Sequence, residues 1–135
     1  MIFATHLLLY SHDPEADRAF FRDVLQFPQV DAGGGWLIFA LPPAELGVHP
    51  AEENRPRAHA DQDVATATLY LMCDKLRDTL EELAAKGVAR TQIREADWGV
   101  ATSIRLPGGA NLGLYEPRHA LAVERGSSPD QARYS

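Results

Sequence analysis

The sequence predicts an α+β fold in which two βαβββ modules form one cup-shaped mixed sheet. The first observation behind this prediction is an internal repeat, because each half reads as one strand, one helix and three further strands. The second is that Asp13 and Asp74 occupy the same place in the two halves, directly before the helical pattern. The third is the composition, with 45% hydrophobic and 24% charged residues, which is typical of a globular domain.

The first module covers about residues 1–50. It starts with an apolar run over residues 2–10, typical of a mostly buried strand. Asp13 as N-cap and Pro14 at the first helical position predict a helix that runs to about residue 25. Three strands are expected after it, around Val30, at 36–41 and at 45–49, with a glycine triplet at 33–35 forming a tight hairpin.

The second module covers about residues 65–118. A strand at 65–73 is followed by Asp74, which we expect to cap a helix at 75–86. Gly87 then ends this helix, and three strands follow at 91–95, 100–106 and 112–115. Residues 51–64 are polar and aperiodic, so they predict a linker inside a single domain spanning 1–118, and residues 119–135 predict a loosely ordered tail.

The charge balance narrows the range of partners. Lys and Arg total 13 and Asp and Glu total 19, for a net charge of −6. Nucleic-acid binding and anionic membrane surfaces both favour basic proteins, so neither partner is expected. There is no apolar run of about 20 residues, no secretory leader pattern at the start, and one cysteine, Cys73. These features predict a cytoplasmic protein without an intrachain disulfide.

Three segments carry a resemblance to a known family: THLLLY at 5–10, DPEADRAFFRDVL at 13–25, and LPGGANLGLYEP at 106–117. With these segments the chain resembles the vicinal oxygen chelate superfamily, which includes glyoxalase I, bleomycin-resistance proteins and extradiol dioxygenases. The resemblance implies a glyoxalase-like fold over about residues 2–118. It also implies a homodimer, in which modules from different chains can complete one cup.

The resemblance also implies where a divalent metal would bind. Metal enzymes of the superfamily place ligands on the first and last strands of each module. His6 matches the histidine of the first strand, and the fourth strand offers His49 and Glu45 as further ligands. In the second module Gly113 stands where metal enzymes carry a glutamate. A catalytic metal needs about three protein ligands, so the site is expected to be incomplete, although a bound divalent metal stays an alternative.

Tyrosines are expected to line the cup. A strand alternates its side chains between two faces, which places Tyr10 with His6, and Tyr115 with Gly113. Tyr70 occupies the corresponding face of the second module, and Trp98 lies on a loop from which its ring can cover a ligand. The alternative for each aromatic residue is packing at the sheet edge. The candidate ligand-binding residues are His6, Tyr10, His49, Tyr70, Trp98 and Tyr115.

Three functions fit these features. The favoured one is a small-molecule-binding protein without a complete catalytic metal site and without a cofactor. The alternative is a divalent-metal-dependent lyase, isomerase or extradiol-type dioxygenase that uses His6 and His49. The third is a dimeric domain whose cup is closed.

Overall fold

The computed structural model of the chain describes residues 1, 3–50 and 57–124. It contains two helices, α1 (Pro14–Asp23) and α2 (Leu76–Ala85). Eight strands accompany them in the described residues: β1 (Gln29–Asp31), β2 (Leu37–Phe39), β3 (Arg57–His59), β4 (Gln62–Val64), β5 (Tyr70–Met72), β6 (Arg94–Ala96), β7 (Gly99–Arg105) and β8 (Asn111–Pro117). The predicted α+β class is confirmed.

The second half folds as a complete βαβββ unit. Its four strands form one mixed sheet in the order β5-β8-β7-β6, and β8 pairs parallel with β5 and antiparallel with β7. Helix α2 connects β5 to β6 at the other edge of the sheet. These two strands run parallel, so the chain needs a crossover between them. This is the strand order of a βαβββ module with its last strand in the middle.

One face of this sheet carries the hydrophobic core. Alternate residues of β7 and β8 point toward the helices, so Ile104 and Leu114 are almost fully buried. Burying a side chain of this size stabilises the fold by about 1.5–3 kcal/mol. Helices α1 and α2 and strands β7 and β8 all contribute to the cluster: Phe20, Phe21, Leu76, Leu80, Leu83, Val100, Ile104, Leu106, Leu112 and Leu114.

Helix α1 begins where the sequence predicts and ends two residues earlier. Asp13 is its N-cap, and the Asp13 carboxylate accepts a hydrogen bond from the amide of Ala16 at 3.1 Å. Asp17, one turn later, is buried and accepts a hydrogen bond from the amide of Gly108 at 2.7 Å. This bond joins α1 to the turn between β7 and β8, so it ties the two halves of the chain together.

The predicted cap of α2 is wrong. The N-cap residue is Lys75, which makes no side-chain capping bond, and Asp74 accepts only from the amide of Lys75. A carboxylate oxygen of Glu116 on β8 instead accepts from the amide of Leu76 at 3.0 Å. The negative charge of Glu116 therefore lies at the positive end of the helix dipole.

The first half forms fewer strands than predicted. Strands β1 and β2 make the expected hairpin, and the glycines at 33–35 all have positive φ. Residues 3–10 and 41–50 form no strand, although strands were predicted at 2–10 and 45–49; Ile2 lies outside the described residues. The reason is that neither segment has a strand partner within the described part of the chain. The complete two-module layout therefore stays a prediction.

A hairpin lies within the predicted linker. Residues 51–56 fall outside the described residues, but β3 and β4 pair antiparallel across a turn at Ala60 and Asp61, both with positive φ. In the predicted tail, residues 119–124 form neither helix nor strand, and 125–135 lie outside the described residues. In the parts of the chain that the structure describes, neither helix has the length and apolarity to cross a bilayer.

Candidate functional site

The face of the four-stranded sheet opposite the helices is open. Ser103 on β7 and Gly113 on β8 pair across the ladder, and both are directed away from the core. Tyr70 on β5 is paired with Gly113 in the parallel ladder, so these three residues form a row across the sheet. The row faces a cleft at the end of the sheet nearest α1.

The cleft has a volume of about 320 Å³, the size of a small organic molecule. Tyrosine rings, hydroxyls and aliphatic side chains line it together with Asn111. Asp17 is the only Asp, Glu, Lys, Arg or His among its described lining residues, and its carboxylate is already bonded to Gly108. Its wall includes Leu9, Tyr10, Thr68, Tyr70, Ser103 and Gly113.

Tyr70 lies flat over Gly113. A Cβ atom built on Gly113 would fall 2.6 Å from Cε1 and 2.8 Å from Cγ of the Tyr70 ring, closer than real side chains approach. The Tyr70 ring then meets Tyr115 edge-on, with 5.6 Å between centroids and 85° between planes. The two predicted tyrosines of this half are therefore in direct contact.

A histidine that the sequence analysis missed completes this group. His119 Nε2 lies 2.7 Å from the Tyr115 hydroxyl, and His119 Nδ1 lies 2.8 Å from the carbonyl oxygen of Ala120. Partial burial and the negative charge of Glu45 raise the pKa of the Tyr115 hydroxyl. Tyr115 therefore keeps its proton and acts as a hydrogen-bonding group.

A second tyrosine–histidine pair lies on the first half. The Tyr10 hydroxyl is 3.3 Å from Nδ1 of His59, at the tip of strand β3. The hairpin of β3 and β4 thus contacts a residue that lines the cleft. His59 was missed because it falls in a polar stretch with no periodic pattern, and no signal in the sequence marks it.

The other predicted site residues lie apart from the cleft. His6 and His49 are exposed, and neither ring makes a hydrogen bond or ion pair with another described residue. Glu45 accepts a hydrogen bond from the amide of Ala122 at 3.1 Å. Trp98 is half exposed in the turn between β6 and β7, at the opposite end of the sheet.

The comparison with family models decides the family. The model of the glyoxalase/bleomycin resistance protein/dioxygenase superfamily matches residues 4–114. The chain belongs to this superfamily. The match spans both halves, including the segments of the first half that form no strand here.

Solved structures support the fold of this superfamily member. A glyoxylase/bleomycin resistance protein/dioxygenase domain from Frankia sp. EAN1pec is 18% identical, with a TM-score of 0.56 over 87% of this chain and 99% of that chain. A protein from the mobile metagenome of V. Pseudocholerae is 26% identical, with a TM-score of 0.51 over 86% and 97%. Lactoylglutathione lyase from Agrobacterium tumefaciens is 21% identical, with a TM-score of 0.51 over 80% and 88%. No curated protein matches the chain.

The described residues do not gather the metal ligands that the superfamily resemblance implies. Within the described residues, no three side chains of the His, Cys, Asp and Glu types are gathered closely enough to hold an ion. At Gly113, where the resemblance implies a glutamate in the metal enzymes, the ring of Tyr70 fills the space that a side chain would need. Glu45, the third predicted ligand, is engaged by the backbone at Ala122.

Proposed function

We propose that this protein binds a small apolar or aromatic molecule in the cleft beside Tyr10 and Tyr70, without a catalytic metal. The observation that carries the proposal is the Tyr70 ring packed on Gly113 at the wall of the cleft. An aromatic ring therefore occupies the position where the resemblance implies a metal ligand. Pockets for small molecules combine apolar walls with a few polar groups. The cleft offers both, because Tyr10, Tyr70 and aliphatic side chains line it together with Thr68, Ser103 and Asn111. The binding roles of His6, His49 and Trp98 stay predictions, as do the cytoplasmic location and the lack of nucleic-acid and membrane partners.

Binding is tested by titration with 2-naphthol, followed through the fluorescence of the probe itself. We expect saturable binding with one site per chain and a loss of at least tenfold in affinity for Tyr70→Ala. Val64→Ala is the matched control, because Val64 is similarly exposed but lies on β4 away from the cleft. Equal affinity of the two variants would contradict the assignment of the cleft.

The metal-dependent alternative is tested on the same protein. We expect metal analysis of purified protein to give well under one equivalent of zinc, nickel, iron or manganese per chain. We also expect naphthol binding to survive dialysis against a chelator. A stoichiometric ion that is lost from His6→Ala or His49→Ala would instead establish the lyase, isomerase or dioxygenase reading.

We further propose that the protein works as a homodimer. Phe3, Leu46 and Val48 expose more than four fifths of their surface, and the segments that carry them have no strand partner in the described chain. Exposed apolar clusters and unpaired strand segments are typical of surfaces that associate. A second copy supplies the same segments, so a symmetric pair can satisfy both at once.

Light scattering at micromolar concentration tests the dimer. We expect a mass near twice 14.9 kDa, and dissociation by Val48→Asp. Gln92→Asp introduces the same charge at an exposed position outside the first half and is expected to leave the mass unchanged. A monomeric wild-type protein would refute the proposal.

A further inference from the structure

Position 113 requires glycine because there is no room for a side chain, and not because of its backbone conformation. Its φ is not in the left-handed region, so any residue could adopt its backbone conformation. Glycine weakens the middle of a strand, and it often marks a point where another group approaches closely. Here the approaching group is the ring of Tyr70, which would collide with the first atom of any side chain at 113.

The ring seated on Gly113 extends into a larger aromatic surface. Tyr70 is 48% exposed, so one part of its ring remains accessible while the other covers Gly113. Tyr115 adjoins Tyr70, and the imidazole of His119 lies 5.8 Å from the Tyr115 ring at 34°. We call these three rings the aromatic wall. Tyr70 lines the cleft, and Tyr115 on β8 and His119 just after β8 continue the wall beyond it.

The tautomer of neutral His119 follows from its hydrogen-bond partners. The carbonyl of Ala120 can only accept, so Nδ1 of His119 must carry the proton of the bond between them. In this tautomer Nε2 carries no proton, so it accepts a hydrogen bond from the Tyr115 hydroxyl. The Tyr115 oxygen therefore offers only lone pairs to a ligand.

We propose that the aromatic wall binds planar aromatic molecules that carry a hydrogen-bond donor, and that Gly113 determines this specificity by seating Tyr70. The proposal rests on the small-molecule binding proposed above and adds its chemical class. A flat ring packs against the Tyr70 and Tyr115 rings by stacking or edge contact. A hydroxyl or N–H on that ring donates to the Tyr115 oxygen, the acceptor left open by His119.

Two probes of similar shape separate the ring contact from the donor contact. 2-Naphthol carries a hydroxyl donor, and 2-methoxynaphthalene replaces the donor by a methyl ether. One net hydrogen bond corresponds to about a five- to tenfold difference in affinity, so wild-type protein should favour 2-naphthol by this factor. Tyr115→Phe should bind the two probes equally, because it keeps the ring and loses the acceptor.

Gly113→Ala tests the packing of the Tyr70 ring on Gly113. We expect at least a tenfold loss of affinity for both probes, because the added Cβ displaces Tyr70 from the wall. Gly47→Ala is the matched control, since Gly47 also has an ordinary φ and a Cβ there meets nothing within 4 Å. This control should bind both probes as wild type does.

The melting temperature Tm tests the contact between Tyr70 and Gly113 without any ligand. Gly113→Ala should lower Tm in the wild-type background and much less in a Tyr70→Ala background, because the collision partner is then gone. An equal loss of Tm in both backgrounds overturns the seating role. Tyr115→Phe remains informative if Gly113→Ala does not fold.

The outcomes distinguish this inference from the proposed function. If wild-type protein binds neither probe, small-molecule binding in this cleft fails, and the donor specificity fails with it. If wild-type protein binds both probes with equal affinity, or if Gly113→Ala binds them as wild type does, the inference is overturned while small-molecule binding stands. A preference for 2-naphthol that survives Tyr115→Phe equally overturns the assigned acceptor.

Discussion

The two halves of the chain carry the same βαβββ pattern but use it differently. In the second half, β8 lies between β5 and β7, and every strand of the sheet has a partner. The corresponding central strand of the first half is the segment 45–49, which lies between Pro43 and Pro50 and contains a glycine. Proline and glycine weaken strands, and among the described residues the segment has no strand partner. Without a central strand, residues 3–10 lose their own ladder partner.

The two halves therefore contribute unequally to the hydrophobic core. The second half supplies most of the buried core, whereas the first half contributes mainly one face of α1 and leaves its apolar strand segments exposed. A repeated βαβββ sequence pattern therefore specifies a folded module only if its central strand forms. Four measurements test this difference between the halves.

The largest expected effect comes from trimming the core of the second half. Ile104 is 1% exposed, so Ile104→Ala removes buried methyl groups and leaves a cavity. We expect a loss of about 2–5 kcal/mol in the free energy of unfolding, measured by urea titration. Val48→Ala, at a side chain that is 87% exposed, should cost much less in dilute, monomeric protein. Equal losses would show that the halves are not as different as the structure indicates.

The second effect concerns the hydrogen bond between Asp17 and Gly108, which joins the two halves. Asp17→Ala removes the carboxylate that accepts from the buried amide of Gly108. Leaving a buried donor without a partner costs about 1–3 kcal/mol, so the urea midpoint should fall. Asp23→Ala is the control on the exposed side of the same helix, where the midpoint should hardly move. A midpoint that is unchanged in Asp17→Ala would mean that the tie does not hold the halves together.

The third effect is a loss of stability in alkali that belongs to the second half. Burial raises the pKa of the Cys73 thiol, so the unfolded chain releases this proton first as the pH rises above about 8.5. The contribution is complete below that pH and disappears as the pH rises through the raised folded-state value. Unfolding free energies at pH 7 to 10 should therefore decline more steeply for wild type than for Cys73→Ala. Parallel declines would contradict the burial of Cys73.

The smallest effect is expected at the ion pair on the surface of α1. Arg22 and Asp23 are 2.7 Å apart, and the pair raises the pKa of Arg22 and lowers that of Asp23. Both groups are exposed to solvent, and exposed pairs are screened by water and salt. Arg22→Ala should leave Tm within experimental error at physiological salt. A clear drop in Tm would mean that α1 depends on this pair.

The sequence predicts the elements whose causes are local. Asp13 and Pro14 mark the start of α1, and the glycines at 33–35 mark the hairpin of β1 and β2, because caps and tight turns depend on a few neighbouring residues. Strands β7 and β8 are also predicted within two residues at each end, since their apolar alternation is long. The period-two argument placed Tyr70 and Tyr115 on one face, where the structure brings them into contact.

The features that the sequence did not predict depend on distant contacts. Asp74 resembles a helix cap in the sequence. The hydrogen bond to the first turn of α2 comes instead from Glu116, forty positions after Leu76. His119 and His59 belong to segments without periodicity, so only the folded chain shows that they meet Tyr115 and Tyr10. A strand pattern also cannot reveal whether its partner forms, which is why residues 3–10 were predicted as a strand.

The bond from Glu116 to α2 has a consequence for the order of folding. Helix α2 obtains this N-terminal partner only when β8 has docked beside β5, so capping of the helix and closure of the parallel pair are one event. Pairings between distant parts of a chain form slowly, because a long loop must close first. We therefore expect Glu116→Ala to accelerate unfolding in stopped-flow experiments while the refolding rate stays nearly constant. A slower refolding rate would mean that this docking occurs before the folding barrier. A nascent chain would then need strand β8 before it could begin to fold.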